Sequence, residues 1–174
     1  MDVFSEQIVA VRKSPAERFI QIGVIVSGIL LIILCGAAYV SGILGSLSIL
    51  LGALAAGTVY GMWFFTSRLN IEYEYLVTNG EIDVDKITAK RSRLRVMNQH
   101  LRSINEFGKY NSDSFANRTF DYRVVACTVD EDARYAVFSD DGEETLLIFA
   151  PNKKVLGAMK KYAPRHIDEN EAVS

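Results

Sequence analysis

The sequence predicts an α+β membrane protein in which a two-helix transmembrane hairpin precedes seven short antiparallel strands and a C-terminal amphipathic helix. Three observations lead to this fold class. The first is a run of 49 residues without a charged side chain, from Phe19 to Ser67. The second is an alternation of apolar and polar residues that starts at Ile71 and recurs in short runs as far as Phe149. The third is a helical apolar stripe that follows Pro151.

The uncharged run is long enough for two membrane helices. A hydrocarbon core of about 30 Å is crossed by about 20 helical residues, so the run fits two crossings and a turn. Small and hydroxylated residues cluster at 41–48, which places the turn there and the helices at about 19–40 and 47–65. We therefore expect a transmembrane hairpin at 15–68, preceded by an N-terminal cytoplasmic segment at 1–14.

The residues just before the first helix carry a helix start signal. Ser14 can cap the helix, Pro15 suits its first position, and Glu17 can complete a capping box. Further upstream, Phe4, Ile8 and Val11 fall at helical spacing, which suits a short segment lying along the membrane surface. A frayed start of the chain is the equal alternative.

Charges at the two ends of the hairpin predict its orientation. Arg12, Lys13 and Arg18 precede the first helix and Arg68 follows the second, whereas the turn between the helices has no charge. By the positive-inside tendency we expect a multi-pass protein of the cell membrane with both termini cytoplasmic. A secretory signal peptide is the competing interpretation of the first helix. Its long apolar run and acidic leader argue against this, and we expect no cleavage.

Small residues recur along both predicted helices. Ala53, Gly57 and Gly61 repeat every four positions in the second helix, and Gly23 and Ser27 form a shorter stripe in the first. Such stripes allow helix backbones to approach closely. Two interpretations follow, which are packing of the two helices within one chain and homodimerisation through the second helix. Neither span carries Asp, Glu, Lys, Arg or His, so the usual marks of an ion or proton path are absent from the sequence.

The soluble domain is expected at 69–165, followed by a flexible acidic tail at 166–174. Asn79-Gly80 predicts a tight type I′ hairpin turn between the first two strands. In the final helix, Val155 belongs to an apolar stripe that continues through Met159 and Tyr162. The seven strands are expected at 71–77, 81–87, 91–96, 103–108, 122–129, 134–138 and 144–149, and the helix at 151–162.

Three stretches of the chain carry a resemblance to a known family. They are IEYEYLVTNGEIDVDKI at 71–87, EFGKYN at 106–111 and LLIFAP at 146–151. With the preceding hairpin, the chain resembles small two-helix membrane proteins of Gram-positive bacteria that carry a bacterial PH-like cytoplasmic domain. The resemblance implies a PH-like barrel or sandwich closed by the C-terminal helix, and a location in the bacterial inner membrane. It implies no activity.

A cluster of cations in the third predicted strand is a candidate lipid-binding feature. Arg91, Arg93 and Arg95 are expected on one face of the strand, with Leu94 and Val96 pointing inward. On that face they could attract anionic phospholipid headgroups, each with up to about 1 kcal/mol. The alternative is a solvated face paired with the acids of the neighbouring strand. The candidate headgroup residues are Lys90, Arg91, Arg93, Arg95 and Arg102.

The remaining polar residues predict no reaction. A net charge of −2 does not suggest nucleic acid, and the two histidines lack further ligands at metal-binding spacing. Cys35 and Cys127 are expected to be packing residues, and we expect no cofactor. The leading hypothesis is a non-enzymatic, membrane-anchored interaction module that docks an unknown protein partner. The alternatives are an anionic-lipid sensor and a subunit of an oligomeric transport or channel assembly.

Overall fold

The computed structural model describes residues 4–42, 45, 48–130, 132–163 and 167. The chain divides into two compact units. Residues 13–70 form a helical unit, and residues 1–12 and 71–174 together form the second unit. The residues that precede the hairpin therefore belong to the same unit as those that follow it.

The helical unit contains α1 (Pro15–Val40) and α2 (Ser48–Arg68). Both helices are long and apolar enough to cross a membrane. The predicted capping box is confirmed, because the Ser14 hydroxyl accepts from the Glu17 N–H at 3.2 Å and the Glu17 carboxylate accepts from the Ser14 N–H at 2.8 Å. Much of the predicted turn, at 43, 44, 46 and 47, lies outside the described residues.

The contact between α1 and α2 lies at a glycine that the sequence pattern did not select. A Cβ on Gly28 would overlap the Met62 side chain, so this glycine allows the two helices to approach closely. At Gly23, Gly57 and Gly61 an added Cβ would meet nothing within 4 Å. The two helices therefore pack on each other at Gly28, and no part of the neighbouring helix lies within 4 Å of the Cβ position at the three glycines of the predicted stripes. Packing through those glycines within one chain and homodimerisation through α2 both stay predictions.

The first sheet contains four antiparallel strands in the order β1-β2-β3-β4, which are β1 (Phe4–Ala10), β2 (Ile71–Thr78), β3 (Glu81–Thr88) and β4 (Ser92–His100). Asn79 and Gly80 both have positive φ, as the predicted hairpin turn requires. The expectation of a surface helix or frayed start at 4–11 is wrong, because this segment pairs with β2 along its whole length. The polar Gln7 at an inward position hides the two-residue period of β1.

The second sheet contains β5 (Ile104–Lys109), β6 (Tyr122–Val125), β7 (Arg134–Asp140) and β8 (Glu143–Phe149), in the order β5-β7-β8-β6. The described residues thus hold eight strands rather than the predicted seven. The all-antiparallel expectation is also wrong, because β6 pairs with β8 in parallel. After β6, the chain passes β8's position in the sheet and forms β7 on the other side of it. β7 runs antiparallel to β8, and β6 and β8 run in the same direction.

The C-terminal helix α3 (Lys153–Lys160) packs on the core of this unit. Its start is fixed by Asn152, whose side-chain oxygen accepts from the N–H groups of Lys154 and Val155 at 3.0 and 2.9 Å. Val155 and Met159 are fully buried, which confirms the predicted stripe. The helix covers a core that both sheets supply, with Tyr75, Ile82, Phe138 and Phe149 among its largest buried side chains.

One predicted core residue lies outside the core. Leu94 is 64% exposed, whereas Val96 is partly buried. The cause is a β-bulge, since Val84 is opposite Met97 and Asp85 is opposite Arg95, which leaves Val96 as an extra residue in β4. The bulge interrupts the simple alternation that predicted an inward Leu94.

Candidate functional site

The predicted headgroup residues occupy three different places. Arg93 and Arg95 lie on β4, Lys90 and Arg91 lie in the turn before it, and Arg102 lies in a separate short helical turn. Arg91 therefore does not belong to the strand. The structure brings Lys90, Arg91 and Arg93 together around a shallow depression of about 400 Å³, which Ile8, Glu72 and Ile87 complete. Arg102 does not line this depression.

Carboxylates accompany the arginines on the outer face of the first sheet. Arg95 Nη2 lies 3.4 Å from Asp83 Oδ2, and its Nε lies 3.5 Å from Asp85 Oδ1. Arg93 Nη1 lies 2.7 Å from Glu74 Oε2. The alternative in which acids of the neighbouring strand pair with these cations is confirmed for Asp83 and Asp85. An anionic headgroup would have to compete with these acids, so the lipid site stays a prediction with weaker support.

Glu74 is the most deeply buried acid of this face, with 5% of its surface exposed. Burial raises the pKa of Glu74 above its ordinary value, and the adjacent Glu6 carboxyl raises it further. The nearby Arg93 guanidinium opposes both effects by favouring the ionised form. The outer face is therefore an ion-pair network in which Arg93 neutralises a buried carboxylate.

The first strand leaves one edge of its sheet open. Val11 N–H donates to the Ile71 carbonyl at 3.1 Å, so odd-numbered residues of the strand direct their backbone groups toward β2. Even-numbered residues then direct theirs to the opposite side. Arg12 confirms this direction, because its N–H donates to Thr128 Oγ1 at 2.7 Å. Within the described residues, no backbone partner is seen for the N–H groups of Ile8 and Ala10 on that open edge.

A groove of about 580 Å³ runs between the start of β1 and α3. Three consecutive residues of the strand line it, Phe4 to Glu6, so the groove follows the edge of the strand rather than one of its faces. The helix contributes three lysines, Lys153, Lys154 and Lys161. Cations therefore outnumber the single acid, Glu6, in the lining of this groove.

Gln7 fixes the first strand beside the helix. Its side-chain amide donates to the Ala150 carbonyl at 2.9 Å, and its side-chain oxygen accepts from the Asn152 N–H at 2.7 Å. Both partners belong to the connection between β8 and α3. Sequence reasoning missed this part of the molecule, because the partner residues are more than 140 positions away and the strand lacks a regular apolar alternation.

Residues of the stretch EFGKYN hold a loop against the second sheet. Arg118 of the following loop makes two hydrogen bonds to Glu106, at 2.8 and 2.9 Å, and also reaches Glu144. Tyr110 stacks on Phe115 and accepts from Arg123 at 2.9 Å. These contacts hold the loop of residues 110–121 against the second sheet. Glu106 and Tyr110 of this stretch therefore have a packing role.

Two potential nucleophiles of the second unit, Cys127 and Tyr75, are buried. Burial raises the pKa of the Cys127 thiol to about 11, with a further increase from Asp130. Burial likewise raises the pKa of the Tyr75 hydroxyl, which donates to the Ala126 carbonyl at 2.6 Å. The described residues contain no group of three or more His, Cys, Asp or Glu side chains that could hold a metal ion.

Two sheets closed by a C-terminal helix, with a pair of apolar helices inserted between the first and second strands, define a PH-like domain protein with candidate membrane helices. The family described as "Bacterial PH-like domain (DUF6106)" matches residues 1–169. The chain belongs to this family, which confirms the resemblance found in the sequence. No curated protein and no solved structure matches the chain.

Proposed function

We propose that this chain is a non-enzymatic, membrane-anchored interaction module. In this proposal α1 and α2 cross the cell membrane, both termini are cytoplasmic, and the PH-like unit docks a protein partner at the inner surface. Membrane association is supported by the length and apolarity of the two helices. The interaction role is supported by the open edge of β1. The ion pairs and hydrogen bonds described above are contacts within the PH-like unit, whereas this edge is available to a partner.

The observation that carries the proposal is the pairing of β1 with β2. These strands flank the helical hairpin in sequence, and they pair in register from Phe4 with Thr78 to Ala10 with Glu72. Both ends of the hairpin must therefore emerge on the same side of any membrane that it crosses. An even number of crossings satisfies this requirement, and a single crossing does not. The cations Arg12, Lys13 and Arg68 favour the cytoplasm as that side.

The same pairing argues against removal of α1 as a signal peptide. Cleavage after α1 would detach β1 and leave β2 as a new sheet edge. Tyr73 and Tyr75 lie on the inner face beside that edge, and the Gln7 contacts to the β8–α3 connection would be lost. The intact chain is thus the form in which the PH-like unit has its complete first sheet.

Cysteine accessibility in intact cells tests the topology. In a chain with Cys35→Ala and Cys127→Ala, Ser114→Cys should react only with a membrane-permeant maleimide. Ser41→Cys, at the far end of α1, should react with an impermeant maleimide as well. Reaction of Ser114→Cys with the impermeant reagent would contradict a cytoplasmic PH-like unit.

Proximity labelling tests the interaction role. A labelling enzyme fused to the C-terminus should mark a reproducible set of neighbours in living cells. The matched control carries Val84→Asp, which places a charge in the core of the PH-like unit and leaves α1 and α2 unchanged. Loss of specific neighbours in the control is the expected result. Identical neighbours for both chains would contradict docking through the PH-like unit.

A further inference from the structure

We propose that the open edge of β1, together with the lysine-lined groove beside α3, is the docking site of that partner. The occupant is an extended segment of a partner protein in which acidic and apolar residues alternate, and which adds to the first sheet as a fifth strand. This inference rests on the proposed function and assigns it a place and a chemistry.

The backbone of β1 supplies the first part of the argument. An edge strand with unpaired N–H and C=O groups is a template for another strand, and folded proteins usually cover or interrupt such edges. Among the described residues, the edge is closed only beyond Ala10, where the Arg12 N–H donates to Thr128 Oγ1. Ile8 and Ala10 direct their donors and acceptors to the open side. An added strand would pair with these groups and gain main-chain hydrogen bonds without rearrangement of β2.

The groove supplies the space for such a strand. Its helical wall includes Gly157, which has no side chain, and Ala158, which has only a methyl group. Small side chains at these positions leave the backbone of an incoming strand room beside the helix. The volume of about 580 Å³ lies along Phe4, Ser5 and Glu6, so it continues the open edge toward the start of β1.

Charge and side-chain pattern define the occupant. The helical wall presents Lys154 and Lys161 to the groove, both exposed, together with Lys153. On the outer face of the sheet, Phe4 and Ile8 lie on either side of Glu6 and are 66% and 51% exposed. An added strand would place alternate side chains toward these two environments. Acidic residues suit the lysine side, and apolar residues suit the side of Phe4 and Ile8.

A second copy of this chain is a poorer occupant. If two copies paired through β1, each would bring only one acidic side chain from that strand, Glu6, to the other's lysines. Each copy would also bring its own three groove lysines, and like charges would then accumulate at the junction. Charge complementarity therefore favours an acidic partner segment.

Peptide binding to the full chain in neutral detergent micelles tests the inference. The probe is a nine-residue peptide that alternates glutamate and valine. Its controls are the same peptide with lysine in place of glutamate, and a version N-methylated at every internal residue, which cannot pair as a strand. Amide hydrogen exchange read by NMR is the direct measurement. Exchange at Ile8 and Ala10 should slow at least about tenfold at saturation, whereas Val9, already paired with β2, should change little.

Charge reversal in the groove provides the matched variants. The double variant Lys154→Glu, Lys161→Glu should bind the acidic peptide about tenfold more weakly at low salt. It should also bind the lysine peptide more tightly than the acidic peptide. The control pair Arg102→Glu with Lys109→Glu has the same change in net charge on exposed residues outside the groove. It should bind as the unaltered chain does.

Several outcomes would overturn the inference. One is that the lysine peptide or the N-methylated peptide binds as tightly as the acidic peptide. Another is that the peptide leaves amide exchange at Ile8 unchanged. A third is that the Ile8 amide becomes protected at higher protein concentration without peptide, which would indicate a second copy as the occupant. Tighter peptide binding after removal of 168–174 would show that the chain's own acidic tail is the occupant. If the neighbours found by proximity labelling persist in the Lys154→Glu, Lys161→Glu variant but are lost with Val84→Asp, the docking site is wrong and the proposed function stands.

Discussion

Arg93 and Glu74 form an ion pair that spans two strand positions of the first sheet. The guanidinium Nη1 lies 2.7 Å from the carboxylate Oε2, although Arg93 belongs to β4 and Glu74 to β2, with β3 between them. Glu74 is 5% exposed, so its charge is compensated mainly by this contact. The pair connects the outer strand of the sheet to an inner strand that lies beside β1.

Replacement of Arg93 should destabilise the PH-like unit in a pH-dependent way. Burial holds the pKa of Glu74 above its ordinary value, and Arg93→Met removes the neighbour that lowers it. An acid with a raised pKa in the folded state binds protons more tightly when folded, so stability falls as pH rises through that window. We expect Arg93→Met to cost about 1–2 kcal/mol at pH 7.5, and clearly less at pH 5. Thermal unfolding of the full chain in micelles at both pH values measures this difference.

Two further variants separate this effect from a general loss of packing. Adding Glu74→Gln to Arg93→Met removes the titrating group, and the difference between pH 5 and pH 7.5 should then disappear. Arg102→Met, at an exposed position, should leave stability unchanged at both pH values. An equal loss at pH 5 and pH 7.5 for Arg93→Met would contradict the assigned role of Glu74.

Loss of the Gln7 side-chain amide should loosen the attachment of β1. Gln7→Leu removes one hydrogen bond to the Ala150 carbonyl and one from the Asn152 N–H. We expect a loss of about 1–3 kcal/mol in unfolding free energy, since both partners lose their bond. Exchange of the Asn152 amide should speed up. Glu6→Gln, one residue away on the outer face, is the control and should leave the Asn152 amide unchanged.

Elements with a local signal could be predicted from the sequence. The capping box of Ser14 and Glu17 depends on residues three positions apart, and the hairpin turn at Asn79-Gly80 depends on two adjacent residues that tolerate positive φ. The uncharged run from 19 to 67 likewise predicts two long apolar helices from composition alone. Each of these features is determined within one short window of the chain.

The candidate site could not be predicted, because it depends on pairing across the hairpin. β1 becomes a strand through β2, which follows about 60 residues later, and its polar inward residue Gln7 is satisfied by the β8–α3 connection. The same reasoning explains two other errors. Leu94 is exposed because of a bulge, and β6 is parallel to β8 because of the order of the second sheet. Neither property is encoded within a single strand.

Cys127 should resist alkylation in the folded chain. It is 5% exposed, and its pKa of about 11 is about two units above the ordinary value of 9.0. The thiolate fraction at pH 8 is therefore about a hundredfold lower than for an unperturbed thiol. The test chain carries Cys35→Ala, so Cys127 is its only cysteine. The control chain carries Cys35→Ala, Cys127→Ala and Val129→Cys, which places its only cysteine at an exposed position. Maleimide should modify the test chain about a hundredfold more slowly than the control chain, or more slowly still. Similar rates would contradict the buried placement of Cys127.

Gly28 and Gly57 should respond differently to enlargement. Gly28→Leu places a side chain where Met62 lies, so it should separate α1 from α2 and lower the melting temperature of the helical unit in micelles. A Cβ on Gly57 would meet nothing within 4 Å in the same chain, so Gly57→Leu should leave that unit unchanged. Crosslinking in micelles then tests the predicted homodimer. If Gly57→Leu and Gly61→Leu abolish a dimer that Gly28→Leu retains, the outward glycines form the contact between chains. A monomer for all variants, including the unaltered chain, would exclude homodimerisation through α2 under these conditions and would remove the basis for an oligomeric channel.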